Sequence, residues 1–182
     1  MENSSIPKMD ATKLLEKTEM NKSIIHTLYD KWTLWSHLPH DVDWTVNSYK
    51  KIVTIDSVEA IITLCETLPE KMISNCMLFL MRKDILPLWE DDKNKNGGCF
   101  SYKISNKNVA SVWKKLSYSL VGECLTEDKK LRPTITGITI SPKKNFCIIK
   151  VWLSTRDFQN PSSICEIDGG ITAHGCIFKK HT

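Results

Sequence analysis

Val109, Val112, Trp113, Leu116, Leu120 and Val121 fall at i, i+3, i+4, i+7, i+11 and i+12. That is one face of an α-helix, the clearest helical period in the chain. Such a face is stable only when laid against other apolar surface. Gly122 stands where this helix can end.

Strand signals supply that surface. Lys31 to Trp35 is short and aromatic, as strands often are. Ser48 to Ile55 alternates Tyr49, Lys51, Val53 and Ile55 against Lys50, Ile52 and Thr54. Asp56 then offers an N-cap oxygen, with Glu59 three residues on, a spacing at which both ends of a first turn can be satisfied. A helix is expected from Val58 to about Leu68, stopped by Pro69. Cys76 to Met81 is continuously apolar, which suits a buried strand, and Phe100, Tyr102 and Ile104 alternate with polar residues. Ile135 to Ile140 and Phe146 to Leu153 flank Ser141-Pro142-Lys143-Lys144-Asn145 as a hairpin. Ile171 and Cys176 to Phe178 are candidate edge strands. The order β, β, α, β, β, α, β, β predicts an α+β fold: one curved, mostly antiparallel sheet with helices stacked on one face.

The chain has 182 residues, enough for one domain with a tail. Residues 1–23 are polar and charged and are expected to form a flexible arm ahead of a domain over 24–182. The formal charge of +4 is compatible with an anionic ligand without requiring one. No apolar run approaches the roughly 18–20 residues of a spanning helix, and Met1 to Met20 lacks the apolar stretch of a secretory signal. The seven cysteines form no C-x-x-C pair, which argues against structural zinc of the usual spacing and for free thiols in a reducing cytoplasm. No metal or cofactor is expected.

Six tryptophans remain to be placed. Trp32, Trp35 and Trp113 sit on periodic elements and are expected in the core. Trp44 and Trp89 sit in polar, loop-like stretches, where an indole has little to bury against unless a ligand supplies the contact. Two such rings can clamp a flat base, which is worth roughly 1–3 kcal/mol per stacked base, and more for a cationic ring. Glu90 can accept two parallel N–H bonds, the pair that guanine offers on its Watson–Crick edge and adenine does not. The alternative for Glu90 is a solvated loop acid in Glu90-Asp91-Asp92.

Trp32-x-x-Trp35, Trp44, Asp56-Ser57-Val58-Glu59, Leu88-Trp89-Glu90-Asp91-Asp92-Lys93-Asn94-Lys95-x-Gly97-Gly98, Trp113, Gly122-Glu123 and Val151-Trp152 together resemble the translation initiation factor 4E family of messenger-RNA cap-binding proteins. The resemblance covers about residues 24–155. It implies a curved antiparallel sheet with helices on the convex face and a cap-binding slot on the concave side. It implies that Trp44 and Trp89 sandwich 7-methylguanine, that Glu90 accepts from N1–H and N2–H, that the backbone N–H of Trp89 bonds O6, and that Trp152 touches the N7-methyl group.

The phosphate end is open. Lys143, Lys144 and Lys150 are candidates to hold the cap triphosphate, with Lys179 and Lys180 in reserve; each is otherwise a solvated charge. The resemblance also implies a partner-binding surface on the helices, which in the family receives a Tyr-x-x-x-x-Leu-type helix of a scaffold or repressor. Its candidate residues are His26, Val58, Ile62, Lys114, Lys115 and Tyr118. Ile62 replaces a family Trp, and Lys114-Lys115 replace an apolar residue and an acid, so ordinary scaffold binding is in doubt.

Two functions follow from the resemblance: a cytoplasmic, monomeric cap-binding initiation factor, or a cap-binding repressor or decoy that recruits no scaffold. An enzyme acting on nucleotides is the third class. Cys99 is its one candidate nucleophile, but no motif places His26, His37, His40 or His174 beside it, and no phosphate-cradling Gly loop appears.

Overall fold

The computed structural model describes residues 25–181; the arm expected over residues 1–23 lies outside the described residues. Seven strands form one sheet: β1 (Thr27–His37), β2 (Lys50–Ser57), β3 (Met77–Arg82), β4 (Gly98–Ser105), β5 (Ile135–Pro142), β6 (Phe146–Leu153) and β7 (Ile177–Lys180). Their order is β2-β1-β3-β5-β6-β4-β7, and every neighbouring pair is antiparallel. Helices α1 (Val58–Thr67), α2 (Glu70–Asn75) and α3 (Val109–Val121) pack on one face. The chain therefore adopts the α+β architecture expected of it.

Side-chain alternation divides the sheet into two faces. Leu34, Leu78, Leu80, Phe100, Tyr102, Ile138, Ile149 and Val151 point into the main core beneath the helices. All six residues of the α3 stripe are buried there. The opposite face carries a second, smaller cluster of Tyr49, Phe79, Met81, Ile85, Cys99 and Trp152. Strand β3 is apolar from Met77 to Met81 because it contributes Leu78 and Leu80 to one side and Phe79 and Met81 to the other.

Several boundaries differ from expectation for identifiable reasons. Ser57, not Asp56, caps α1, its Oγ accepting from the Ala60 N–H at 3.2 Å. Glu59 does not reach back to the cap; its carboxylate takes the His26 N–H and the His26 ring nitrogen, the latter at 2.7 Å. Pro69 ends α1 but also serves as the N-cap position of α2, a helix the sequence reading lacks. Gly122 is the C-cap of α3, yet the left-handed residue is Glu123, at φ 55°. Trp32 and Trp113 join the main core, whereas Trp35 packs on the opposite face, against the smaller cluster. Ile171 makes only an isolated bridge to Ile167, and the edge strand begins at Ile177.

Candidate functional site

A slot of about 380 Å³ opens on the face away from the helices, lined by Trp44, Tyr49, Met77, Phe79, Pro87, Leu88, Trp89, Glu90, Thr139, Ser141, Lys150 and Trp152. Its floor is the sheet. Lys150 stands between Ser101 and Thr139 across the strands, and Trp152 between Cys99 and Gly137. Its walls are the two loops whose indoles had nothing to bury against: Trp44 is 55% exposed and Trp89 46%. Trp152 is buried, and its indole N–H has no protein partner.

The Trp44 loop is built from Asx-type turns. Asp41 Oδ1 accepts from the Asp43 N–H at 2.9 Å, and Asp43 Oδ1 from the Thr45 N–H at 2.8 Å. That backbone bond, with the Thr45 hydroxyl, holds the Asp43 carboxyl below its ordinary range. His37, the last residue of β1, donates from Nε2 to the Asp43 carbonyl at 2.8 Å, since a carbonyl only accepts. The two rings stack at 4.3 Å with 4° between planes.

The Trp89 loop turns on Asp91 and Asn94. Asp91 accepts from the Leu86 N–H at 2.9 Å and the Lys93 N–H at 2.8 Å. Asn94 is fully buried, and its amide donates to the carbonyls of Leu86 and Leu88 at 3.1 and 2.8 Å. The glycines that follow are steric necessities. A Cβ on Gly97 would lie 1.7 Å from the Leu153 carbonyl oxygen, and one on Gly98 2.5 Å from the Phe178 ring and 2.7 Å from the Lys179 carbonyl. The Trp-Glu-Asp-x-Lys-Asn-Lys-x-Gly-Gly block thus encodes the loop's own framework as well as two slot residues.

Electrostatics on the slot are mixed. Burial pushes the Tyr49 hydroxyl up to about 12, with the nearby Glu90 charge adding to it. The Lys150 ammonium lies 5.7 Å over the Trp89 ring. Lys179 pairs across β4 with Cys99, which pairs in turn with Trp152, so Lys179 shares the slot's sheet face. Lys143 and Lys144 lie in the β5–β6 turn and do not line the slot. Burial raises the Cys99 thiol despite Lys150 nearby.

On the helical face a groove of about 440 Å³ is lined by Leu28, Val58, Ile61, Ile62, Glu66, Tyr118, Val121 and Gly122. Of the partner-surface candidates it gathers Val58, Ile62 and Tyr118. Lys114 stands at its rim, ion-paired with Glu66, and holds that carboxyl below its usual range. His26 is tied to Glu59 instead, and Lys115 is exposed beyond the groove. Arg82 beside it bridges Asp30 and Glu123 at 2.9 and 2.7 Å and lies over the Trp32 ring.

Tyr49, Thr139 and Ser141 line the slot and His37 backs Trp44, yet none carries a motif in the sequence; the strand register reveals Thr139 and Ser141, and Tyr49 stands just before β2.

A seven-stranded antiparallel sheet with helices on one face has known counterparts. The sequence profile described as Eukaryotic initiation factor 4E matches residues 27–174. Eukaryotic translation initiation factor 4E of Saccharomyces cerevisiae is 25% identical over 160 residues, covering 82% of this chain and 73% of the yeast protein. Factor 4E-2 of Schizosaccharomyces pombe is 32% identical over 137 residues, 70% of this chain and 53% of that one. A homologue from Acanthamoeba polyphaga mimivirus is 37% identical over 84 residues, 46% of this chain and 28% of its own length. Among solved structures, the schistosome factor complexed with m7GpppA and 4E-BP superposes with a TM-score of 0.66 at 25% identity, over 74% of this chain and 75% of that one. The chain belongs to the eukaryotic initiation factor 4E family.

Proposed function

We propose that this protein binds the 7-methylguanosine cap of messenger RNA and acts in translation initiation. The observation that carries the reading is the convergence of Trp44, Trp89, Glu90 and Trp152 on one slot. A methylated guanine carries positive charge and is attracted by the faces of Trp44 and Trp89, by about 2 kcal/mol or more once desolvated. Plain guanine lacks that term. Glu90 accepts from N1–H and the N2 amine, charge-assisted bonds worth roughly 1.5–3 kcal/mol, and methylation sharpens N1–H as a donor. Trp89 N–H donates to O6, and Trp152 bounds the methyl group from the floor.

The phosphates leave the base over the sheet. Lys150 is the lysine best placed to meet them, with Lys179 on the same face; Lys143 and Lys144 reach only the more distant phosphates from their turn. Lysine offers a point charge without the fork of arginine, so the grip is electrostatic and salt-sensitive. Binding needs no covalent step. Cys99 is buried with a raised pKa, the reverse of an activated nucleophile.

Fluorescence titration tests the reading. 7-Methylguanosine triphosphate should quench the tryptophans saturably and bind far tighter than guanosine triphosphate; equal affinity for the two removes the sandwich.

A second reading keeps the cap and changes the outcome. The schistosome structure pairs its factor with 4E-BP, and the helical groove here is apolar enough to receive a helix. Its rim, however, presents Lys114, paired with Glu66, and Lys115 is exposed just beyond it; neither offers the acid that a basic partner residue would need. A repressor or decoy follows if a Tyr-x-x-x-x-Leu peptide fails to bind at micromolar concentration. Both readings describe a cytoplasmic monomer.

A further inference from the structure

His181 follows β7 and is 4% exposed. Three bonds fix it. Its N–H donates to the Gly97 carbonyl at 3.0 Å. Its ring Nδ1 stands 2.8 Å from the Asn94 carbonyl. Its own carbonyl accepts from Arg156 Nη2 at 2.8 Å. The imidazole lies parallel to Trp89, with ring centroids 6.3 Å apart and 7° between planes, and meets Trp152 at 4.8 Å and 54°. His181 touches two slot indoles and does not itself line the slot. Lys150, by contrast, lines the slot and lies over the Trp89 ring. The imidazole therefore lies parallel to Trp89 and outside the slot lining, where it also meets Trp152.

We propose that His181 is a positioning residue for the base-binding slot: its ring, anchored to the Asn94 carbonyl, fixes the Trp89 plane and spaces it from Trp152. The proposal rests on the reading of Trp89 and Trp152 as walls around a methylated base. A carbonyl only accepts, so Nδ1 carries a proton, and burial disfavours a second one on Nε2, which is left as an acceptor without a protein partner. The Trp152 indole N–H, also without one, is the unpaired donor on the adjoining ring. A neutral ring also suits the site electrostatically, because a cationic purine stacked on Trp89 would be opposed by an imidazolium beside that ring.

The charged groups that face His181 among the described residues are Lys150 of β6 and Arg156 after it, both cationic; the 94–97 segment offers it carbonyl oxygens. Burial first, and then Lys150 and Arg156, lower its pKa, against the Asn94 carbonyl, which raises it. The folded state thus resists a proton that the unfolded chain accepts. This contribution to stability is complete above the ordinary histidine value of about 6.5. It is lost progressively as pH falls from there toward the folded value.

Two arms test the role. In the first, His181→Ala, His181→Asn and His181→Phe are titrated with 7-methylguanosine triphosphate at pH 7.5, with thermal melts alongside. Loss of the stacked ring in the Ala and Asn variants should raise Kd about 5–15-fold, and His181→Phe should stay within about threefold of wild type. An Ala variant that melts normally and binds within twofold of wild type overturns the proposal. In the second arm, intrinsic fluorescence of the ligand-free protein is followed from pH 8 to 5 in wild type, His181→Phe and Trp89→Phe. Protonation beside Trp89 should give a quench with a midpoint below about 6.5, absent from both variants. A quench that persists in His181→Phe, or none in wild type, overturns the proposal. If wild type shows this quench but binds no cap analogue, the cap-binding reading fails while the His181–Trp89 contact stands.

Discussion

His37 and Trp44 lie face to face, 4.3 Å apart and 4° from parallel, with the imidazole buried and the indole open to solvent on its other side. Trp44 belongs to a loop of Asx-type turns, so this stack and the bond from His37 to the Asp43 carbonyl are what aim it. Replacing His37 with Ala should weaken 7-methylguanosine triphosphate binding about 5–10-fold. His37→Phe restores the stack but not the bond and should recover part of the loss. Tryptophan quenching measures both.

Glu90 reads the edge of the base. Glu90→Gln keeps the shape but loses the charge and one acceptor, and should raise Kd about 10–100-fold. The ligand-side control is 7-methylinosine triphosphate, which lacks the N2 amine. It should bind wild type worse than the guanosine analogue, and Glu90→Ala should bind the two equally.

Lys150 is expected to act on phosphate. Lys150→Ala should weaken the triphosphate form several-fold while leaving the 7-methylguanosine nucleoside nearly unaffected. The dependence of affinity on salt should flatten in the variant, because one screened contact is gone. Equal losses for nucleoside and triphosphate would show that Lys150 acts on the base instead.

Asn94 and Gly97 carry the loop. Asn94→Ala removes two bonds that a buried amide makes to the Leu86 and Leu88 carbonyls and should lower stability by about 2–3 kcal/mol, read by urea unfolding. Gly97→Ala places a methyl 1.7 Å from the Leu153 oxygen and should abolish folding or free the loop. The contrast is Gly175→Ala, where nothing lies within 4 Å and only φ +79° resists; about 1 kcal/mol is expected there.

The sequence made α3 legible because all six residues of its stripe do one job, burial against the sheet. Trp44 and Trp89 stood out for the opposite reason, as large rings on no apolar face. Glu59 misled because its carboxylate has two suitors, a cap backbone nearby in the chain and a histidine thirty-three residues away, and only the fold decides between them. Helix α2 was hidden by Pro69, which stops one helix and starts the next. Lys143 and Lys144 were equal candidates with Lys150 until strand register put Lys150 on the floor and left the other two in a turn. The two histidines against the indoles had no local signal at all. His37 closes β1 seven residues before Trp44, and His181 follows the Lys179-Lys180 end of β7; only the fold lays each imidazole against its indole.

Close approach of Gly97 to the Leu153 carbonyl has a consequence for selectivity. It welds the segment after Trp89 onto the strand that carries Trp152, so one jaw of the grip behaves as an anvil. The other jaw hangs from short turns around Asp43 and has only one histidine at its back. Thickness in an occupant must therefore be absorbed almost wholly at Trp44. Bulkier substituents on the purine N7 should be tolerated or refused according to how far that single ring can swing.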